Sequence, residues 1–341
     1  MKKIFIYAGP HKSGSLYLRR HVFSKVTDVL NAYMEAPELN YMLLEAFEIN
    51  PLFADFSAIR NTFSRKFDEI QQNNIVFGDA DFFGTYHRYA NTGEFHSQVF
   101  FDHKHHSEVI KNIFPEAKII LTPRRQDTWL ESAYNTYVRK YYTVDIKQFL
   151  NPDGGKHSWV FRTRSNKPCC DFRQLDWLKY VKNYARLFGR ENVLVLPYEM
   201  MVEDLEEFLQ HLYSFMEVEP YFPSSQEPTN PGYSSLSLKI ALSLNKFIHT
   251  DHNKLGIIPV KPFFNFFLKR REQNPAYRIL CGISSRLSLE IFLRKVIDKY
   301  IAVNKGILNK ENRKEILIYY TELNKRYAKY INIDLEKYGY Y

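Results

Sequence analysis

Short apolar runs punctuate the first two thirds of the chain, and each ends in turn chemistry. Ile4 to Ala8 runs into Gly9-Pro10, and Ile75-Val76-Phe77 into Gly78-Asp79. Ala117 to Leu121 runs into Thr122-Pro123-Arg124-Arg125, and Asn192 to Leu196 into Pro197-Tyr198. Runs of this length predict strands buried on both faces. Helical spacing fills the intervals. From about Ser13 onward, Leu18, Val22, Val26 and Leu30 fall on one face. Asp127 is placed to cap a helix with Leu130, Ala133, Tyr134 and Tyr137 inward. A helix over about Phe172 to Phe188 turns Leu178, Val181, Ala185 and Phe188 inward and stops at Gly189. Leu205, Phe208, Leu209, Leu212 and Phe215 form another stripe. Strands alternating with helices predict an α/β fold with a parallel sheet flanked by helices. Pro220 to Gly232 reads as a connector, and the chain beyond it as mostly helical. The expected organisation is an α/β core over 1–225 with a mainly helical extension, 226–341, packed on the same domain.

Composition narrows the chemistry only in part. A net charge of +9 favours an anionic partner: a nucleotide, an anionic glycan, nucleic acid or an anionic lipid surface. The basic residues are dispersed and no nucleic-acid module is present, so no nucleic-acid partner is expected. Cys169, Cys170 and Cys281 have no zinc spacing, and a reducing compartment fits them best. The N-terminus is too short in apolar residues for a signal-peptide core, and no run reaches the ~18 residues of a membrane span.

The chemistry concentrates in Gly9-Pro10-His11-Lys12-Ser13-Gly14-Ser15-Leu16, between a strand and a helix. A helix N-terminus offers unpaired N–H groups and a positive dipole end to phosphate. Gly9 and Gly14 have the glycine spacing of a nucleotide-triphosphatase loop, but Ser15-Leu16 stand where Lys-Ser/Thr would follow. The stretch His11-Lys12-Ser13-Gly14-Ser15-Leu16-Tyr17-Leu18 resembles the 5′-phosphosulfate loop of sulfotransferases that use 3′-phosphoadenosine 5′-phosphosulfate (PAPS). That loop reads close to Pro-Lys-Ser-Gly-Thr-Thr-Trp-Leu. Here proline comes one place early, and Leu16 lacks the second hydroxyl, so its backbone N–H takes that contact. The family's 3′-phosphate element is an arginine at a strand end and a serine eight residues on. Arg124 and Ser132 have that spacing, with Tyr134 after them; Arg125 is the alternative anchor one residue on. Leu196-Pro197-Tyr198-Glu199, Asn230, Asn324 and the ending Asp334 to Tyr340 extend the similarity to bacterial members over nearly the full length.

The resemblance implies a P-loop-like sulfotransferase fold whose 1–225 core binds PAPS. It implies in-line, metal-independent transfer of a sulfuryl group to a hydroxyl of a carbohydrate or glycoconjugate, with release of 3′-phosphoadenosine 5′-phosphate (PAP). Lys12 then stabilises the leaving phosphate, and Lys12, Ser13, Gly14, Ser15, Leu16, Arg124 and Ser132 hold the donor. The family's base stands near the end of the strand after the loop helix. Asp79 occupies that place, as base or as a plain turn residue, with Asp81, His87 and His105 as alternatives. A carboxyl at its ordinary pKa of ~3.9 is a weak base unless burial raises it. Asp102-His103-Lys104-His105-His106 reads as a solvated helix start on the wrong edge of the sheet. Pro259 to Arg271 suits a lipid-linked acceptor, a membrane surface or an anionic glycan, or else core packing with a basic end. Lys305-Gly306 suits a basic loop at the 3′-phosphate. The expected location is cytoplasmic, with room for peripheral contact at the inner membrane face. Two other classes stay open: a P-loop kinase or nucleotide hydrolase, and a non-enzymatic binder of acidic polymer.

Overall fold

The structure is a computed structural model. It describes residues 2–84, 100, 102–143, 145–150, 170, 172–223, 232–249, 253–259, 293, 297–300 and 306–341. Its centre is a parallel sheet of β1 (Lys3–Tyr7), β2 (Val29–Asn31), β3 (Asn74–Gly78), β4 (Lys118–Leu121) and β5 (Val193–Val195), in the order β2-β3-β1-β4-β5. Ile4 lies beside Ile75 and Tyr7 beside Gly78, while Tyr7 meets Ile120 on the other side. Phe5, Ile6, Tyr7, Ile75, Val76, Phe77, Ile119, Ile120 and Leu121 are all fully buried, which explains why these strands read as unbroken apolar runs. In an open parallel sheet, ligands bind beyond the strand C-termini where the order reverses. Here β1 lies between β3 and β4, so the loop after β1 opens at that point.

Helices cover the sheet: α1 (Pro37–Glu48), α2 (Phe56–Asp68), α3 (His103–Ile113), α4 (Gln126–Arg139), α5 (Trp177–Phe188), α6 (Leu205–Met216), α7 (Ser235–Asn245) and α8 (Lys310–Ile331). Asp204, Ser234 and Asn309 each accept a backbone N–H at a helix start, and Gly189 ends α5 at φ 90. No helix among the described residues is long and apolar enough to cross a membrane.

Several sequence expectations change. The helical period from Ser13 does not continue to Leu30. A single turn over Ser15–Tyr17 passes into a wider turn over Leu18–Val22 and a tighter one over Phe23–Lys25. Leu30 then sits in β2, an edge strand paired with β3. The helix expected from Phe172 starts at Trp177, after a separate turn over Phe172–Gln174. Asp127 does not cap α4. It lies buried in the first turn, 2.6 Å from Arg125 Nε and bonded to Arg313. A two-residue pairing, Ile248–His249 with Ile258–Pro259, appears where only helix was expected.

Residues after 232 bind into α4. Asn135 Nδ2 donates to Tyr233 O (2.8 Å), and Asn245 Nδ2 to the carbonyls of Val138 and Tyr142. Glu131 Oε1 accepts from the amides of Ile307 and Leu308. Asn324 and Gln126 exchange side-chain hydrogen bonds at 2.8 and 3.0 Å.

Candidate active site

The loop after β1 is held by the neighbouring strand and helix at consecutive carbonyls. Trp129 Nε1 donates to His11 O (2.6 Å), and Arg124 Nη1 to Lys12 O (2.9 Å). Thr122 Oγ1 donates to Ser13 O (3.1 Å) and lies 2.5 Å from the Tyr7 hydroxyl. Lys12 sits at φ 69, a left-handed conformation that a non-glycine residue adopts only when its surroundings hold it there. Gly14 needs its lack of a side chain: φ is 84, and a Cβ would lie 2.1 Å from Met201 Cε. The first intrahelical bond beyond the loop is Tyr17 N–H to Gly14 O (2.9 Å), so the amides of Ser15 and Leu16 precede the helix ladder.

This loop fits a polyanion. Burial and the positive charges of Arg139, Arg124 and Lys140 push the Lys12 ammonium down to about 8. Clustered cations of this kind repel one another until an anion joins them. Ser13 is fully buried, and its Oγ has no partner among the described residues. A buried hydroxyl left in that state is costly, and a ligand oxygen would satisfy it.

Arg124 belongs to the same construction. Its Nε donates to Thr128 Oγ1 (3.0 Å), and its guanidinium lies 4.5 Å from the Tyr198 ring centre. Ser132 is half-buried one helical turn beyond Thr128, on the same side of α4. Arg125 points the other way, to Asp127 and to Tyr338 O (3.1 Å). Behind Arg124, Glu199 accepts from the Arg125 amide (3.1 Å), the Thr128 hydroxyl (3.3 Å) and the Tyr340 hydroxyl (2.9 Å). Asn324 donates to Tyr340 O (2.9 Å). Glu199, Asn324 and Tyr340, far apart in sequence, therefore brace one element.

Asp79 ends β3 beside the loop, and both its oxygens are engaged. Oδ1 accepts from the Asp81 amide (3.1 Å), and Oδ2 lies 3.4 Å from Arg19 Nη1. Burial pushes the Asp79 carboxyl up, while the Asp81 amide and Arg19 oppose it. Arg19 is itself buried, donates to Gly78 O (3.0 Å) and stacks 3.8 Å from the Tyr33 ring. Breaking such a pair strands a buried charge. Arg19→Ala is expected to destabilise the fold by about 3–5 kcal/mol in urea unfolding. Without Arg19, the folded-state Asp79 pKa lies above its unfolded value. The penalty is therefore full above that pKa and shrinks as pH falls through it. An equal loss at every pH would show that Arg19 acts through packing alone.

The histidine cluster is not a solvated helix start. His103 and His106 are buried, with Nδ1 atoms 2.8 Å from Phe83 O and 2.9 Å from Asp81 O. They pack against the segment that follows β3, not away from it. His106 stacks on Phe47 at 4.1 Å, His105 Nε2 lies 2.8 Å from Phe47 O, and burial pushes His103 down to about 4. His87, Asn230, Lys305 and all of Pro259 to Arg271 beyond its first residue lie outside the described residues. No metal-holding group of His, Cys, Asp or Glu occurs among the described residues.

Sequence reasoning missed Trp129, Thr122, Arg19, Arg139 and Lys140 as parts of the site. The basic end of α4 was visible as Arg139-Lys140, but its approach to Lys12 depends on tertiary packing.

The family model described as sulfotransferase domain matches residues 2–235, which contain the Lys12 loop, Arg124, Ser132 and Glu199. Similar solved structures include a sulfotransferase from Alicyclobacillus acidocaldarius, at 16% identity and TM-score 0.43, covering 72% of this chain and 93% of that one. The sulfotransferase domain of the Synechococcus PCC 7002 olefin synthase has 15% identity and TM-score 0.37, covering 96% and 94%. The sulfotransferase domain from the curacin biosynthetic pathway has 14% identity and TM-score 0.36, covering 95% and 97%. No curated protein matches the chain. With the family model spanning the greater part of its length, the chain belongs to the sulfotransferase family.

Proposed function

We propose that this protein moves a sulfuryl group from PAPS to a hydroxyl of a carbohydrate or glycoconjugate, without a metal. The carrying observation is the hydrogen bond from Arg124 Nη1 to Lys12 O at 2.9 Å, which joins the two anion elements into one site. In this reading Lys12, Ser13, Gly14, Ser15 and Leu16 hold the 5′-phosphosulfate end. Arg124 and Ser132 hold the 3′-phosphate. Lys12 neutralises the bridging oxygen as the S–O bond breaks, a charge that grows toward the transition state. The helical residues after 226 form an extension of the same domain, supported by their bonds to α4.

The carbohydrate acceptor rests on the sequence resemblance. A lipid-linked form of it is supported by apolar surface near α7: Phe247 is 53% exposed, Leu255 93% and Ile257 81%, with exposed Lys246 and Lys254 alongside. Such an acceptor would place the enzyme in the cytoplasm, at the inner membrane face.

Thermal stability with PAP, with ATP and Mg²⁺, and with adenosine 5′-phosphosulfate tests the donor. PAP at 100 times its dissociation constant should stabilise by about 2.7 kcal/mol. A shift with ATP and Mg²⁺ but not with PAP would reject the reading in favour of another nucleotide enzyme. The Lys12 ammonium adds a pH signature. Free Lys12 is held down to about 8, and a bound phosphate favours its charged form, so binding takes up a proton at higher pH. PAP affinity should fall by up to about tenfold per pH unit above about 8. Lys12→Arg should flatten that profile, because guanidinium keeps its charge. A level wild-type profile in calorimetry would take the ammonium out of donor binding.

A further inference from the structure

Arg124 is held from behind as well as from the side. Its carbonyl accepts from Trp177 Nε1 (2.8 Å), and its Nε donates to Thr128 Oγ1 (3.0 Å). The Thr128 hydroxyl reaches two acceptors, Arg125 O (3.0 Å) and Glu199 Oε1 (3.3 Å). Glu199 belongs to a short helix, Tyr198–Glu203, whose Tyr198 ring faces the guanidinium. Glu199 Oε1 also accepts from the Arg125 amide (3.1 Å). Glu199 Oε2 accepts from the Tyr340 hydroxyl (2.9 Å), which lies 3.4 Å from Pro123 O. Both side chains are buried. Burial pushes the Glu199 carboxyl up, while the Tyr340 hydroxyl and the Arg124 charge oppose it. Burial and the Glu199 charge keep the proton on Tyr340, so its hydroxyl stays a donor. Residues 338–340 are themselves clamped. Arg125 Nη1 donates to Tyr338 O (3.1 Å), and Asn324 Nδ2 of α8 to Tyr340 O (2.9 Å). Gly339 lies at φ 70, and a Cβ there would stand 2.8 Å from Arg125 Nη1, so glycine lets the chain cross the guanidinium closely.

We propose that Tyr340 is a positioning residue for donor binding: its hydroxyl fixes Glu199, which fixes Thr128 and through it the guanidinium plane of Arg124. The assignment rests on the reading of Arg124 as the 3′-phosphate anchor. A guanidinium whose plane is set before the phosphate arrives gives up less freedom on binding. Tyr340 itself touches no ligand in this reading. Without its hydroxyl, a buried carboxylate oxygen loses its donor. The Glu199 carboxyl then protonates or turns toward another donor, and either change weakens its hold on Thr128. The residues after α8 thereby act on the anion site at the end of β4.

The test is a double-mutant cycle on the full chain, read by calorimetry well below each variant's melting temperature. Tyr340→Phe should weaken PAP by about 3–10-fold and adenosine 5′-phosphosulfate by less than about twofold. In an Arg124→Ala background the same substitution should change PAP affinity by less than about twofold, because its route to the ligand is already cut. A merely structural role would give the same loss in both backgrounds. That result, or no loss in either, would overturn the assignment. Thr128→Val breaks the same chain of contacts, so it should weaken PAP and leave little for Tyr340→Phe to remove; independent losses would count against the route. A readout that needs no ligand is the solvent exchange of the Arg124 Nε–H in the ¹H–¹⁵N spectrum, assigned by its absence in Arg124→Ala. It should be protected in the wild type and exchange about 3–10-fold faster in Tyr340→Phe. An unchanged rate, or an unprotected group in the wild type, would sink the proposal even if PAP does not bind. Failure of the wild type to bind PAP would instead reject the PAPS reading, whatever Tyr340 does.

Discussion

Lys12→Ala should lower the turnover number by about 10²–10³-fold, as loss of one preorganised group facing a developing charge does elsewhere. PAP affinity should fall less, by about tenfold or under, because Arg124 and the amides of Ser15 and Leu16 remain. The distinction follows from where charge grows. The 5′-phosphate is anionic before reaction, and the bridging oxygen gains charge only as sulfur departs. The variant should also melt higher than the wild type without ligand. Folded Lys12 titrates near 8, below the ordinary lysine value, so its charged form destabilises the fold at every pH below about 8. Deleting it removes that penalty. The left-handed backbone at position 12 gives no compensating loss, since alanine and lysine bear the same strain there. Lost activity with raised stability cannot come from misfolding. An unchanged turnover number would remove Lys12 from the chemistry, and a lower melting temperature would mean that the packing of the Lys12 side chain outweighs the cost of burying its charge among Arg139, Arg124 and Lys140.

The features legible in the sequence were those written in local pattern or in residue type. Strands buried on both faces leave unbroken apolar runs, so β1, β3, β4 and β5 were visible. A glycine-bracketed lysine and an arginine eight residues before a serine were visible as anion chemistry. What depends on long-range placement was not. Leu30 continues the spacing of Leu18, Val22 and Val26, yet it joins a strand because its neighbour Val29 aligns with Asn74 on β3. His103 and His106 look solvated by polarity, yet Phe83, Phe47 and the Asp81 carbonyl enclose them. His11 was in view as a departure from the family's proline. Its 2.8 Å approach to the Asp81 carboxyl could be found only once β1 and β3 lay side by side.

Arg124→Ala should weaken PAP by about 30–150-fold, near 2–3 kcal/mol, the scale of a lost charge-assisted bond to phosphate. Adenosine 5′-phosphosulfate, which lacks the 3′-phosphate, should lose less than about fivefold. The comparison is needed because, on the proposed reading, Arg124 would have two duties. Its Nη1 holds the Lys12 carbonyl, so its loss also loosens the 5′-phosphosulfate loop, and that part should fall on both ligands alike. Its Nε is tied to Thr128 and its face to Tyr198, which fixes the guanidinium plane before any ligand arrives. Only the excess loss for PAP reports the 3′-phosphate. Arg124→Lys keeps a charge without the fork, so it should recover part of the PAP affinity and little of the hold on Lys12. Equal losses for the two ligands would make Arg124 a brace of the loop and move the 3′-phosphate to other cations. A larger loss for PAP would place both ends of the donor between β1 and β4, at the point where the sheet order reverses.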